Sequence, residues 1–502
     1  MSIQNNSNNK KSNNSAYSGN SNNSIRNFLI KSDKLTINHH IYITIAVFSV
    51  LFIAMITYLV VFYCNNKSAF FSNSYNKRES ILYTQNLRGN IYGKDGELLA
   101  YSIQNEDGTQ TRVYPYGGLF AHSVGFSTHG KTGVEAMQNY YLINTDNSLL
   151  QRAENRSQSN LNTCYNVTTT FDVELQQIAY DYLGNYNGAV ILTEVQTGRV
   201  LVMVSKPDFD PNNIDLLWDQ LTENSESSVL LNRVTQGQYP PGSTFKIITA
   251  LEYFRENNTD YKKYIYNCNG FFTVDNYRIN CFHGTRHGDV DFELSFAKSC
   301  NASFANIGMS LDRSEFSKTL DSLMFNRELP CPIEYTQSSL YINRDTDDYN
   351  MMQTSIGQGK TSISPYHMNL ITMAIANDGV LVTPYIIDNV KGTDGAIVKD
   401  YASEEAFSLM TADEAEFLQK LMQSVVTEGT AGRLKNDIYT AAGKTGSAEY
   451  NDLGDSHAWF TGYAPAENPE VAVTIIIEAG GTGGERAVPL AKLLFDSYFE
   501  RY

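Results

Sequence analysis

An excess of positive charge is what this sequence most plainly lacks. Lys and Arg total 38 against 54 Asp and Glu, a net charge of −16. A nucleic-acid-binding surface carries a basic patch or stripe, and nothing in the sequence suggests one. No segment recurs at a fixed period, which argues against a repeat architecture. Small residues are missing where a secretory signal would be cut. The first long apolar run ends in Phe62-Tyr63-Cys64, which fits no small-residue cleavage site, and Tyr63 before Cys64 argues against a lipoprotein signal.

What is present begins with size. A chain of 502 residues exceeds one compact domain, so at least two folded units are expected. Its apolar share of 42% is enough for a sizeable core. The first 24 residues are almost all Asn, Ser, Lys and other polar types. They cannot bury enough apolar surface to order themselves and read as a disordered tail. Residues 41–62 spell IYITIAVFSVLFIAMITYLVVF without a charge, the length and composition of a bilayer-spanning helix. The predicted layout is a cytoplasmic tail over 1–40, a transmembrane helix over 41–63, a stalk and small domain over 64–160, and a catalytic domain over 161–502. Arg26, Lys31 and Lys34 before the span balance Lys67, Lys77 and Arg78 after it; Lys10 and Lys11 tip the tail towards the cytoplasm.

Residues 65–80 are polar and read as a stalk. Residues 88–100 read strand, turn, strand around Asp95-Gly96, a hairpin signal between apolar runs. A second unit is expected to open near Asn166. Residues 166–172 alternate like a strand, 173–183 have helical spacing, and 188–204 hold two short strands around Thr197-Gly198. The middle, about 213–440, reads mostly helical with loops. Strands return at 440–449, 458–464 and 471–478, and 486–502 reads as a closing helix. Strands at both ends of a helical middle predict an α+β domain whose sheet is assembled from both ends.

Three short motifs follow one another: Ser243-Thr244-Phe245-Lys246 after Pro240-Pro241-Gly242, then Ser299-Cys300-Asn301, then Lys444-Thr445-Gly446 within 443–449. A serine hydroxyl is a weak nucleophile and needs an adjacent base. Residues three apart at a helix start share a face, so Lys246 can reach Ser243. Lys246 is a base only when neutral, which requires burial and nearby positive charge, and Lys444 is a candidate for that charge. Ser299 can relay protons to a leaving amine, and Asn301 can hold a peptide amide. Lys444 and Thr445 suit a substrate carboxylate, and Gly446 lets the strand approach the ligand. The N–H groups of Ser243 and Ser447 are candidates for an oxyanion hole. Each motif alone is weak, since a chain this long holds chance S-x-x-K matches; three in order, each in a fitting context, are specific.

With these motifs the chain resembles the class B penicillin-binding proteins. LNRVTQGQYPPGSTFK over 231–246 resembles the family's nucleophile segment. Residues 88–100, Tyr114-Pro115, Ala121-His122 and Gly133-Val134-Glu135 resemble its non-catalytic pedestal. Gly357-Gln358-Gly359, Ser364-Pro365, Gly429-Thr430-Ala431, 443–449 and Trp459-Phe460-Thr461-Gly462-Tyr463 complete the likeness. The resemblance implies a penicillin-recognising serine transpeptidase fold: a five-stranded antiparallel sheet flanked by helices, with a helical subdomain, after a pedestal and one transmembrane helix. It implies cross-linking of wall stem peptides that end in D-Ala-D-Ala, through a serine acyl-enzyme that β-lactams also form. It implies an extracytoplasmic catalytic domain. It also implies a membrane partner, a glycosyltransferase of the shape, elongation, division and sporulation (SEDS) family. No stretch before the pedestal is expected to house a glycosyltransferase of its own.

The chemistry requires no cofactor. Five cysteines follow the span, at 164, 268, 281, 300 and 331. Cys268 and Cys281 flank an expected hairpin over 271–279, and an exported domain permits a disulfide between them. Adding His287 and Cys300 gives three thiolates and an imidazole, a donor set for tetrahedral zinc. The resemblance implies a metal site here in some relatives. Both readings stand on the sequence. Rival activities use the same motifs: a D,D-carboxypeptidase with water as acceptor, or a β-lactamase, for which no Glu-x-x-Asn segment follows Asn301. A penicillin sensor or a scaffold of a wall-building complex is the non-enzymatic alternative; an intact nucleophile and both lysines weigh against it.

Overall fold

The computed structural model describes residues 39–62, 77–223, 228–403, 406–449 and 456–501. The tail before His39 and most of the expected stalk lie outside these residues. The apolar run forms one helix, His39–Phe62, of 24 residues, long and apolar enough to cross a membrane. It belongs to a separate unit from the rest of the chain. The polar stretch read as stalk turns helical at its end, over Lys77–Gln85.

The second unit is organised by a five-stranded antiparallel sheet. Its order is Ala442–Glu449, Ser456–Ala464, Val471–Ile477, Gly188–Glu194, Val200–Lys206. Strands from both ends of the domain meet between Val471–Ile477 and Gly188–Glu194, as the strands flanking a helical middle predicted. Ser456–Ala464 and Val471–Ile477 are buried at every position, so both faces are covered. Pro365–Ala376, itself wholly buried, packs on the sheet, and Asn369 donates to Thr193 at 2.9 Å. Gly483–Arg501 and Val173–Leu183 pack on the sheet as well. Local signals start these helices: Asp172 caps Val173–Leu183, and Ser364 caps Pro365–Ala376 with proline at its first turn.

The middle is mainly helix and loop, and the hairpin expected over 271–279 forms from Phe271–Val274 and Tyr277–Asn280. One expectation changes. The strand Asn166–Thr169, expected to open a second unit, instead joins a six-stranded sheet with Ile91–Tyr92 on one side and Ile387–Lys391 on the other. That sheet therefore ties the N-terminal region to the catalytic one.

The N-terminal region is fixed by a buried charge knot. Arg88 donates through Nε to Glu135 at 2.7 Å, and Arg112 donates to the other carboxylate oxygen at 2.7 Å. Arg88 also donates to Asn139 Oδ1 at 2.7 Å, and Tyr114 donates to Glu135 at 3.2 Å. Burial alone would raise the Glu135 carboxyl, but the two guanidinium groups outweigh it and hold it below its ordinary value.

Candidate active site

Ser243 lies in a 3-10 turn, Gly242–Phe245, which runs straight into the helix Lys246–Asn257. Gly242 has φ +53°, and a Cβ there would come within 3.0 Å of the Ser447 carbonyl. Glycine therefore allows this turn to lie against the edge strand Ala442–Glu449. The Gly242 N–H donates to the Gly357 carbonyl at 2.9 Å, which pins the turn from the other side. One helical turn on, Lys246 Nζ stands 3.1 Å from Ser243 Oγ.

The surroundings of Lys246 decide what it can do. Its Nζ is 2.8 Å from the Ser299 carbonyl and 2.6 Å from Asn301 Oδ1, both acceptors without a proton to give. Asn301 is held in that orientation by donating through Nδ2 to the Asn280 carbonyl at 3.1 Å. Two N–H bonds of a neutral amine satisfy these acceptors and leave the lone pair for a hydroxyl. Lys246 is fully buried, and burial lowers it to about 8, with the Cys300 and Cys281 thiols pulling the other way. The charge expected from Lys444 is thus not what depresses Lys246. Lys444 is itself pushed well below its ordinary value, by burial and then by Lys246. Ser299 joins the two amines, with its Oγ 3.2 Å from Lys246 Nζ and 2.9 Å from Lys444 Nζ. Ser299 has φ +56°, a strained conformation for a side-chain-bearing residue between two helices, Phe292–Ala297 and Asn301–Ser310.

The edge strand supplies the other wall. With its amide oxygen towards the Glu449 N–H, Gln358 pairs with both Glu449 backbone groups, at 3.1 and 3.3 Å. Those groups point away from the neighbouring strand. In an antiparallel ladder the direction alternates residue by residue, so Ser447 and Thr445 also turn their N–H and C=O outward, over the Ser243 turn. Thr445 Oγ1 is 2.5 Å from Thr430 Oγ1. Ser243, Ser299, Asn301, Thr445, Gly446 and Ser447 all line one cleft of about 1140 Å³. Lys246 and Lys444 are buried behind it. The cleft is lined by residues of all three motifs.

Beside it the four expected metal-binding residues converge. Cys268, Cys281, His287 and Cys300 place one ligand atom each within 4.8 Å of one another. The Cys268 and Cys281 sulfurs are 3.6 Å apart, Cys281 and Cys300 3.8 Å, and Cys268 Sγ lies 3.4 Å from His287 Nδ1. Around a tetrahedral ion with Zn–S bonds of 2.3 Å, two sulfurs sit about 3.8 Å apart. The cysteines are free thiols, and the donor set fits zinc. Cys300 also caps Asn301–Ser310 through its sulfur, so this cluster abuts the Ser299–Asn301 corner.

Sequence reasoning missed several residues that shape the site. Thr430 had been noted only within Gly429-Thr430-Ala431, with no role. Gln358, which closes the edge strand, was likewise read only within Gly357-Gln358-Gly359, and Arg433 and Arg278, which line the cleft, carried no motif. Their signal is spatial, since each lies far along the chain from the nucleophile.

The arrangement is shared with known proteins. Residues 188–496 match the penicillin binding protein transpeptidase domain, and 88–163 match the penicillin binding protein A dimerisation domain. The peptidoglycan D,D-transpeptidase PbpA of Mycolicibacterium smegmatis is 30% identical over 428 residues, covering 79% of this chain and 86% of its own length. The peptidoglycan D,D-transpeptidase MrdA of Acinetobacter baumannii is 27% identical over 77% of this chain and 66% of its own. Penicillin-binding protein A of M. tuberculosis, solved as an imipenem acyl-enzyme complex, superposes with a TM-score of 0.75 at 26% identity, covering 83% of this chain and 99% of that one.

Proposed function

The chain belongs to the penicillin-binding protein transpeptidase family, and on that premise we propose how its residues divide the work of cross-linking peptidoglycan. The protein is a serine D,D-transpeptidase. Ser243 Oγ attacks the carbonyl of the penultimate D-Ala of a stem peptide while Lys246 takes its proton. The oxyanion is met by the N–H groups of Ser243 and Ser447. The amide C–N bond breaks, and Ser299 passes a proton to the departing amine of the terminal D-Ala, whose carboxylate faces Lys444, Thr445 and Thr430. A neighbouring stem-peptide amine then attacks the ester and gives up its proton by the same route. A new amide forms and Ser243 is regenerated. Asn301 orients the donor amide, and Gly446 keeps the strand open to it. The contact chain Ser243–Lys246–Ser299–Lys444 carries this reading, because it links nucleophile, base and proton relay without a gap. The test is Ser243→Ala in the full-length chain in detergent. Covalent labelling by a fluorescent penicillin should vanish while the thermal melt holds; labelling that persists overturns the assignment.

The helix His39–Phe62 anchors the enzyme as a single-pass membrane protein. An extracytoplasmic substrate and Lys10 and Lys11 support a cytoplasmic N-terminus. A SEDS-family glycosyltransferase is the partner this reading expects, since the strands to be cross-linked must be polymerised beside the enzyme. Cys268, Cys281, His287 and Cys300 hold a structural zinc, which would cross-brace the hairpin and the Ser299–Asn301 corner. Elemental analysis of the full-length chain purified under reducing conditions should give about one zinc per chain, lost in His287→Ala. A metal-free protein with a Cys268–Cys281 disulfide and full acylation activity would refute the site.

A further inference from the structure

Behind the nucleophile turn lies a second polar assembly that the reaction does not use. Tyr239 stands just ahead of Pro240-Pro241-Gly242-Ser243 and is buried. Its hydroxyl donates to Glu478 Oε1 at 2.7 Å, and Arg233 Nε donates to the same oxygen at 2.7 Å. Arg233 is anchored further by Ser228, whose carbonyl and hydroxyl accept from it at 2.9 and 2.6 Å. Burial and the Glu478 charge push the Tyr239 phenol well up, which keeps it a donor.

The Tyr239 ring packs edge-on against Trp459 and His457, at 6.1 and 5.7 Å between centroids. Trp459, wholly buried, donates its indole N–H to the Pro240 carbonyl at 3.1 Å. Tyr239 and Ile363 exchange backbone bonds at 3.1 and 3.0 Å. Space has been made for the ring, since a Cβ on Gly237 would come within 2.5 Å of it. Glu478 directly follows the strand Val471–Ile477, and its own N–H donates to the Asn187 carbonyl at 2.8 Å. The carboxylate is therefore held by the sheet, while Tyr239 belongs to the segment that presents Ser243.

We propose that Glu478, acting through Tyr239, is a positioning residue that sets the height of the Ser243 turn over the edge strand. Three residues separate Tyr239 from the nucleophile; two grips, Tyr239 to Glu478 and Trp459 to Pro240, fix the start of this backbone relative to the sheet, while the Gly242 N–H on the Gly357 carbonyl holds its far end. Lys246 is placed by the helix that follows Ser243, and the Ser447 N–H by the edge strand. Without the grip, the Ser243 turn can shift against the Ser447 N–H while the residues of the other two motifs stay in place. Displacements below an ångström at this step cost rate rather than binding.

The inference rests on Ser243 being the acylated residue. Tyr239→Phe is the main variant, because it deletes one hydroxyl and keeps the ring between Trp459 and Gly237. Full-length wild type, Tyr239→Phe and Glu478→Gln are titrated for active sites with a fluorescent penicillin. The acylation rate constant and the dissociation constant of the preceding complex are then separated by stopped flow. Tyr239→Phe should lower the rate constant per titrated site by about 10- to 100-fold with little change in the dissociation constant. Glu478→Gln, which keeps an acceptor oxygen, should fall between Tyr239→Phe and wild type. A purely structural role would lower the titrated fraction and leave the rate per site at the wild-type value, and that outcome overturns the proposal. A wild type that labels at a residue other than Ser243 would instead remove its premise.

Discussion

The molecule buries a pair of cations in two places and treats them in opposite ways. In the N-terminal region Arg88 and Arg112 share the carboxylate of Glu135. In the cleft Lys246 and Lys444 share only the hydroxyl of Ser299, with carbonyl and amide oxygens around them. A guanidinium stays charged at any working pH, so the first pair needs an anion and becomes a rigid clasp. An amine can shed its proton when burial makes charge expensive, so the second pair yields a base. Neutralised charge holds a shape; charge left without an acid makes a reagent.

The comparison breaks most visibly if the residue types are exchanged. Lys246→Arg keeps a cation within reach of Ser243 but removes the lone pair. Acylation by a fluorescent penicillin should fall by about 100- to 10,000-fold, the range that general-base catalysis supplies. Arg88→Lys, measured alongside, should leave the rate per titrated site within about twofold of wild type, since the clasp is remote from the cleft. Near-normal acylation by Lys246→Arg would mean that Lys246 is a positioning cation and not the base.

The clasp is tested through stability. Glu135→Ala leaves two buried guanidinium groups without a counter-charge. Removing one partner of a buried ion pair costs about 3–5 kcal/mol, to be read from the urea midpoint of the purified chain. The same substitution should barely alter acylation per titrated site. A loss below about 1 kcal/mol would show that water reaches Arg88 and Arg112 and that the clasp resembles a surface pair.

How far these two places could be read from the sequence differs as well. Ser243 and Lys246 were legible because their contact is one helical turn, and spacing along a helix is geometry. Lys444-Thr445-Gly446 was legible as a strand beside glycine. Ser299 as the joint between two lysines was not, because its bond to Lys444 spans 145 positions and depends on a left-handed backbone that Ser does not advertise. The grip of Glu478 on Tyr239 spans 239 positions and leaves no periodic trace. The sheet strands at both ends of the domain read as short apolar runs, buried at nearly every position. The strand Asn166–Thr169 alternates, yet nothing local in it names Ile91–Tyr92 as its neighbour, so its pairing with the N-terminal region could not be foreseen. The cysteine cluster was legible as residue types, while the sulfur separations that bring its four donors together are set only by the fold.

The clasp also predicts a pH dependence of stability on the acid side, away from the range in which Lys246 titrates. The Glu135 carboxyl is held below its ordinary value of 4.5 by Arg112 and Arg88 against the cost of burial. A carboxyl depressed in the folded state binds fewer protons there than in the unfolded chain. Its contribution to stability is therefore complete above the unfolded value and is lost as pH falls through that value towards the folded one. One such group contributes at most about 1.4 kcal/mol per pH unit over that window. Other carboxylates titrate in the same range, so the informative quantity is the stability difference between wild type and Glu135→Gln. Urea midpoints taken from pH 6.5 to 3.5 should show that difference level near neutrality and narrowing below about pH 4.5. The neutral amide cannot follow the titration, whereas the unfolded wild-type chain takes up a proton that the folded carboxylate, held between two fixed positive charges, does not. A difference that stays constant down to pH 3.5 would mean that Glu135 titrates alike in both states and that the clasp does not depress it.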